Sequence, residues 1–322
     1  MRHNRFMTAW QVDVLGPEFQ FRTLPLGEDD EGPVEATLVR RVPSRRRSAR
    51  AVLYIHGWSD YFFQANVAAF FTDQAIAFYA LDLRKYGRSL RDYQSAGYVN
   101  DLATYDEDIA AALEVIRAEN GSSVAVAIMG HSTGGLVASL WADRHPGEIA
   151  ALILNSPWLE TQGSSLLRHL SAPVVARLAS FQPKAALPNV DPGHYHRVCS
   201  ATAEGQWTYN EVWRPNPMFP VRAGWLATIF SGHERVARGL NIQVPVLVLV
   251  SSQSIISIPW HDDMVRADTV IDVNSTALRA TLLGPTVTLV RITDGLHDLA
   301  LSSAVVTKGY FAAINRWMSA YY

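Results

Sequence analysis

The sequence predicts an α/β protein built on a mostly parallel, doubly wound sheet, and three observations predict it. First, six runs of strand length are continuously apolar rather than alternating: AVLYI (51–55), AIAFYALD (75–82), SVAVAIMG (123–130), IAALILNS (149–156), VPVLVLVS (244–251) and TVTLVRI (286–292). Strands covered on both faces read this way. Second, helical patterns lie between them: DIAAALEVIRAEN (108–120) closed by Gly121, STGGLVASLWADRH (132–145) closed by Pro146, and AVVTKGYFAAINRWM (304–318). Strand–helix alternation implies right-handed crossovers between parallel strands. Third, one stretch breaks the rhythm. From Pro157 to about Leu240 no strong buried strand occurs, yet the stretch holds half of the chain's 16 prolines and four of its nine tryptophans, Trp158, Trp207, Trp213 and Trp225.

That stretch is too long for an ordinary loop and too apolar for disorder. It reads as an inserted, mostly helical cap. The expected division is therefore a core of residues 1–156 and 241–322 and a cap of residues 157–240. Its aromatic residues either line a pocket or pack the cap onto the core. Ahead of the first buried strand, residues 1–50 read as an antiparallel ribbon with turns at Gly16-Pro17 and Gly32-Pro33.

Composition narrows the function classes. The chain has 322 residues, enough to bury a sizeable core, and 48% hydrophobic against 18% charged residues, as in ordinary globular proteins. A formal net charge of −2 gives no sign of nucleic acid or an anionic membrane as a partner. The short basic run Arg45-Arg46-Arg47 reads as a solvated turn between strands. The single cysteine, Cys199, permits no intrachain disulfide, so the fold does not depend on an oxidising compartment. MRHNRFMTAWQVDVLGP carries no long apolar core of a signal, and no stretch approaches 18 continuous apolar residues. The expectation is a cytoplasmic protein with no stable membrane insertion; oligomeric state stays open.

The strongest chemical signal is VAIMGHSTGGL (126–136), which fits G-x-S-x-G with Gly130, Ser132 and Gly134. A buried strand precedes it and an amphipathic helix follows at once, which is the setting the motif requires. Such a turn strains the serine backbone, and Gly130 and Gly134 supply the room it needs. The hydroxyl then sits at a helix N-terminus, where backbone N–H groups favour developing negative charge. A second signal is VLYIHGWSD (52–60), with His56-Gly57 just after a buried strand. Acyl transfer needs two preorganised donors for its oxyanion, and the N–H groups of Thr133 and Trp58 are the candidates. His56 reads as a residue that orients its loop, not as a base.

Together, HGWSD, LDLRKYGRS (81–89), GHSTGG and GLHD (295–298) resemble the α/β-hydrolase superfamily, and within it the monoacylglycerol lipase and lysophospholipase-like serine hydrolases. The resemblance runs from about residue 50 to the C-terminus and implies the α/β-hydrolase fold. LDLRKYGRS resembles that family's structural loop, with Lys85 where glycine is commoner, so Asp82 and Arg84 receive no catalytic role. The family's chain order of serine, acid, histidine points to His297 as the base. His145 ends a helix, His131 should point away from the tight turn, and His169, His194, His196 and His233 fall in the cap. The resemblance also expects a carboxylate just past strand 244–251, where Ser254 stands instead. Asp268-Thr-Val-Ile fits the family's acid loop, 29 residues before His297 (297 − 268 = 29). Residues 252–267 then read as an insertion and Ser254 as a filler. Asp272, Asp262, Asp263 and a missing acid remain open alternatives; Asp294 and Asp298 lie too close to His297 in sequence.

The expected activity is hydrolysis of a small carboxylic ester with an apolar acyl or alcohol part, such as a monoacylglycerol, lysolipid or lactone. No cofactor and no metal are expected, since no HExxH or paired Cys/His cluster occurs and His194-Tyr-His196 is too slight a hint. An amidase or aminopeptidase-like enzyme is the alternative, and a ligand-binding protein of the same fold with poor turnover is the alternative of another class.

Overall fold

The computed structural model describes residues 9–42, 47–161 and 165–322, with the side chains of residues 165–171 excepted. Arg45 and Arg46 of the basic run, and the side chain of His169, lie outside the described residues. The chain opens with β1 (Gln11–Asp13), β2 (Gly16–Asp29) and β3 (Gly32–Arg41), an antiparallel ribbon. The α/β part follows as β4 (Arg50–Ile55), α1 (Ala65–Thr72), β5 (Ala77–Asp82), α2 (Tyr105–Asn120), β6 (Ala125–His131), α3 (Thr133–Arg144) and β7 (Ala151–Asn155). The chain then leaves the sheet for α4 (Ser165–Phe181), α5 (His194–Cys199) and α6 (Ala223–Ala237). It returns as β8 (Val246–Ser251), α7 (Val273–Ala280), β9 (Val287–Ile292) and α8 (Ala304–Tyr321).

The nine strands form one sheet in the order β1-β2-β3-β5-β4-β6-β7-β8-β9, parallel from β5 to β9. The ribbon joins it where β3 pairs antiparallel with β5, with Thr37 opposite Asp82. The unbroken apolar runs have their reason in the two faces. In β4, Val52 and Tyr54 enter one core cluster with α1 and α8, while Leu53 and Ile55 enter the other with α2, α3 and α6. Each strand residue meets a covered face, so alternation with polar residues would leave polar groups buried. Among the described residues between β7 and β8 only isolated bridges occur, Ala186 with Arg222 and Ser200 with Trp207.

Strand order reverses at β4, which lies between β5 and β6. Open α/β sheets bind ligands at the carboxyl ends of strands where the order reverses. Ile55 pairs with Gly130 there, so the segment after β4 and the turn after β6 leave the sheet side by side.

The loop after β5 fastens this end of the sheet. Asp82 accepts from the backbone N–H groups of Phe62 (2.9 Å) and Arg88 (3.0 Å) and from Arg88 Nη1 (2.8 Å). Arg88 also donates from Nε and Nη2 to Asp13 of β1 (2.7 and 2.8 Å) and from Nη1 to the Phe62 carbonyl. Arg84 is tied to Asp108 and Glu107 in the first turn of α2. Lys85 has φ +65°, a conformation glycine adopts without strain. Its buried ammonium is held by Asp29 (2.5 Å) and Glu31 (2.7 Å) of the β2–β3 hairpin. Removing one partner of a buried ionic network strands the others without solvent. Arg88→Met, which leaves Asp13 and Asp82 uncompensated, is therefore expected to cost about 3–5 kcal/mol of stability, measured as a fall in the urea midpoint.

Candidate active site

β6 ends at Gly130 and His131, and α3 starts at Thr133, with only Ser132 between them. The chain must reverse within one residue. Ser132 does so at φ 51°, ψ −118°, a region that costs a non-glycine residue of order 1–3 kcal/mol. The neighbours that permit it are glycines for a measurable reason. A Cβ on Gly130 would lie 2.6 Å from the Gly134 carbonyl oxygen, and one on Gly134 would lie 2.2 Å from the His56 carbonyl oxygen. The Ser132 backbone is held from both sides: its N–H donates to the Asn155 carbonyl (3.1 Å), and its carbonyl accepts from Trp158 (2.9 Å) and Gly135 (2.9 Å).

His297 lies between β9 and α8, 2% exposed, and its ring bridges two partners. Nε2 is 2.9 Å from Ser132 Oγ, and Nδ1 is 2.9 Å from Asp268 Oδ2. Asp268 is fully buried; its other oxygen accepts from the N–H groups of Val270 (2.8 Å) and Ile271 (2.9 Å). Oδ2 is thereby left for the imidazole. A ring that gives its Nδ1 proton to a carboxylate presents a lone pair on Nε2. Such a ring can take the serine proton as the oxygen attacks an acyl carbon.

Gly57 explains how the segment after β4 comes so close. A Cβ there would lie 3.1 Å from Ser132 Cβ, so Gly57 passes directly beside the hydroxyl-bearing carbon, with Trp58 the next residue. The Thr133 N–H is the first of α3, one of the donors that no acceptor within a helix can serve. His56 orients the segment. Nδ1 donates to the Gly57 carbonyl (2.7 Å) and Nε2 accepts the Leu83 N–H (3.1 Å), tying the ends of β4 and β5 together.

The remaining carboxylates are occupied elsewhere. Asp272 caps α7 through the N–H groups of Asn274 and Ser275. Asp262 accepts from Trp260 Nε1, and Asp263 pairs with Arg266 at the surface. Asp298 is buried but turned from the histidine beside it, accepting from Asn155 Nδ2 (2.7 Å), Gln64 Nε2 (3.0 Å) and the Ala300 N–H (3.0 Å).

Two expectations need correction. Ser254 is no filler: it forms a parallel bridge with Asp268, its hydroxyl donates to the Ile271 carbonyl (2.8 Å), and the Val273 N–H donates to it (2.9 Å). Residues 255–267 are an excursion that leaves the end of β8 and returns to it. His131 is not pointed out of the site. Its ring centroid lies 4.9 Å from that of His297, with Nδ1 on the Asn155 carbonyl (3.1 Å). Burial keeps its pKa below the ordinary value.

The tryptophans after β7 mostly pack the inserted stretch down. The Trp225 ring lies 3.8 Å from that of Trp58, Trp213 meets Tyr61 edge-on at 5.1 Å, and Trp207 donates to the Leu301 carbonyl. His196 meets the Tyr209 hydroxyl, His233 the Trp158 carbonyl, and His145 meets Asp106. His194 meets the Ile258 carbonyl of the excursion. Sequence reasoning missed Tyr195, whose ring stands edge-on to His297 at 5.3 Å, and Asn155, which bonds both to the Ser132 backbone and to Asp298. Neither carries a sequence signal, because both act through tertiary contact. Among the described residues, no group of three His, Cys, Asp or Glu is placed to hold a metal, and no helix is long and apolar enough to cross a membrane.

Residues 46–274, well over half of the chain, match the model of the Hydrolase_4 family, described as serine aminopeptidase, S33. The chain belongs to this S33 family. A curated relative, a monoacylglycerol lipase of Mycolicibacterium smegmatis, is 30% identical over 142 residues. That match spans 44% of this chain and only 48% of the relative's own length. Solved structures share the fold over nearly the whole S33 chain. A monoacylglycerol lipase of Paleococcus ferrophilus aligns at TM-score 0.61 with 15% identity, covering 95% of this chain and all of that one. A soluble variant of monoglyceride lipase from Saccharomyces cerevisiae aligns at 0.63 with 13% identity, covering 96% of this chain and 93% of that one. The architecture is that of the α/β-hydrolases.

A pH dependence follows from His56. Burial holds its pKa below the usual 6.5, because protonation would put a charge in the core and remove the acceptor of the Leu83 N–H. As pH falls through about 6.5 the unfolded chain binds a proton that the folded chain refuses, so the stability His56 contributes is present above that pH and lost below it. Asp108, raised to about 6 by burial against the pull of Arg84, acts in the opposite sense but equally in wild type and variant. The expected result is that His56→Gln shows a shallower loss of urea midpoint between pH 7 and pH 5 than wild type, by up to one proton.

Proposed function

We propose that the chain is a serine hydrolase of carboxylic esters. The observation that carries this is the continuous chain of hydrogen bonds from Ser132 through His297 to buried Asp268. In this reading Ser132 attacks the acyl carbon, and His297 takes its proton and returns it to the leaving alcohol. Asp268 holds the imidazole tautomer and stabilises the imidazolium. The N–H groups of Trp58 and Thr133 hold the oxyanion, and water then hydrolyses the acyl-enzyme. No group beyond these side chains is needed for those steps.

Residues 157–240 act as a cap on a core of residues 1–156 and 241–322. Their aromatic and aliphatic content favours an apolar acyl or alcohol group, of the kind found in a monoacylglycerol, a lysolipid or a lactone. The names of the lipase relatives support the ester side of this reading. The unpaired Cys199 supports a reducing, cytoplasmic setting.

The family's description brings a second reading, cleavage of an aminoacyl amide. Such a substrate needs carboxylates gathered to hold its amine. After β7 they are dispersed, and four are engaged: Glu160 with Arg279, Glu204 with Arg197, Glu211 with Thr202, and Asp191 with the Gly193 N–H, while Glu234 is exposed on α6. This favours the ester. The ligand-binding alternative rested on a displaced acid, and it loses that support with Asp268 beside His297.

Ser132→Ala is expected to abolish hydrolysis of p-nitrophenyl esters and labelling by a fluorophosphonate. Labelling that survives would refute the assignment. Asp268→Asn is expected to lower kcat by roughly three to four orders of magnitude while the thermal melt stays cooperative, since the imidazole then loses its tautomer control. Near-full turnover in that variant would reject Asp268 as the acid. Aminoacyl amides cleaved faster than esters would favour the second reading.

A further inference from the structure

The segment after β4, residues 57–63, is the least self-sufficient part of the site. It contains no regular structure, and Ser59, directly after Trp58, sits at φ 51°. A non-glycine residue stays there only where its surroundings over-determine it. On one side the segment hangs from the core through the Phe62 N–H on Asp82. On the other side it is tied to the inserted stretch. The Phe219 N–H donates to Ser59 Oγ (3.0 Å), the Asn210 N–H donates to the Tyr61 hydroxyl (2.7 Å), and Arg214 Nε lies 3.1 Å from Asp60 Oδ1.

The last tie differs in kind. Asp60 and Arg214 are each less than a tenth exposed. Burial raises the Asp60 pKa against the opposing pull of Arg214, and it works against the Arg214 charge, which Asp60 sustains. A buried pair of this sort is a weak source of stability, because desolvation of two ions offsets their attraction. The contact is a single Nε–Oδ1 approach and not an aligned hydrogen bond, so it constrains through charge: neither partner can move away without leaving the other unpaired. The guanidinium also lies over the rings of Tyr209 (4.4 Å) and Tyr195 (5.0 Å), and Tyr195 is the ring that stands against His297. One side chain thus touches both the segment beside Ser132 and the wall behind the histidine.

We propose that Arg214 is a positioning residue for hydrolysis: paired with Asp60 and packed on Tyr195, it fixes residues 57–63 so that the Trp58 N–H meets the oxyanion. The inference rests on the proposed function. It extends that function by making the transition-state geometry depend on the inserted stretch as well as on the core.

The test is kinetic. Arg214→Met, Arg214→Lys, Asp60→Asn and the double variant Asp60→Asn/Arg214→Met are assayed on a p-nitrophenyl ester, with active sites counted by fluorophosphonate titration and folding followed by thermal melting. Displacing an oxyanion donor by about 1 Å is expected to cost on the order of a hundredfold in rate. Arg214→Met should therefore lose about 30- to 300-fold in kcat per titrated site, with KM changed less than about threefold. Affinity for a boronic acid, which mimics the tetrahedral adduct, should fall in parallel with kcat/KM. Asp60→Asn in the Arg214→Met background should recover part of the loss, because it removes the stranded carboxylate. Should Arg214→Met fail to fold, Arg214→Lys keeps the charge without the planar fork, and a loss of at least tenfold in kcat is expected from the folded protein.

A merely structural role predicts another outcome: a lower melting temperature with unchanged kcat per site and unchanged boronic acid affinity. That result overturns the inference. Ser132→Ala run alongside separates the two levels. Turnover surviving in it overturns the functional reading and this inference with it. Turnover lost there but retained in full by Arg214→Met overturns this inference alone.

Discussion

The candidate site depends on one backbone constraint, the reversal at Ser132. A parallel strand that passes straight into a helix must turn within a single residue, and that residue then has φ +51° and its hydroxyl at the head of α3. The strain is tolerable because the surroundings leave no room for relaxation. Gly130 and Gly134 let strand and helix close to van der Waals distance, and Gly57 lets the segment after β4 pass beside the serine. The Ser132 carbonyl is pinned by the Trp158 N–H, from the start of the inserted stretch. The turn thus draws its support from the ends of the two neighbouring strands, β4 and β7, and not from its own sequence alone.

The two buried carboxylates nearest the histidine have separate tasks. Asp268 and Asp298 are both close to His297 in space or in sequence, yet only one faces the ring. Asp298 spends its oxygens on Asn155, Gln64 and a backbone N–H, which fix the loop that carries the histidine. Asp268 keeps one oxygen for backbone N–H groups and one for the imidazole. The neutral histidines follow the same logic. His56 and His131 are held below the ordinary imidazole pKa by burial, so they serve as fixed donors and acceptors between strand ends.

The excursion after β8 shows how a departure in sequence can leave geometry intact. Ser254 occupies the place at the strand end, and the chain runs through thirteen residues (255–267) before Asp268 pairs backbone to backbone with it. The extra residues dock on α5 instead of disturbing the sheet. Trp260 lies 3.8 Å beneath the Arg197 guanidinium, and His194 holds the Ile258 carbonyl. A parallel bridge between residues 14 apart (268 − 254 = 14) restores the position that a shorter loop would occupy.

Much of this was legible in the chain itself. Continuous apolar runs identify strands covered on both faces, because burial on two sides excludes polar residues; the six runs became β4 to β9, but only β4 to β8 are so covered, and the edge strand β9 leaves Leu289 and Arg291 exposed. The turn at Ser132 was legible because its strain demands glycines at fixed offsets. Asp272, an open alternative for the acid, caps α7 instead. Asp268 could be ranked by loop pattern but not distinguished by the residues alone from its neighbours, because which carboxylate faces an imidazole is decided by where other donors draw the rest. Ser254, His131, Tyr195, Asn155 and the Asp60–Arg214 pair were illegible or misjudged for the same reason. Each owes its role to a partner at least 14 residues away, and no periodicity records such a pairing. Local backbone demands and two-sided burial were determined by the sequence; the choice among chemically equal side chains was decided only by tertiary packing, through competition for buried hydrogen bonds.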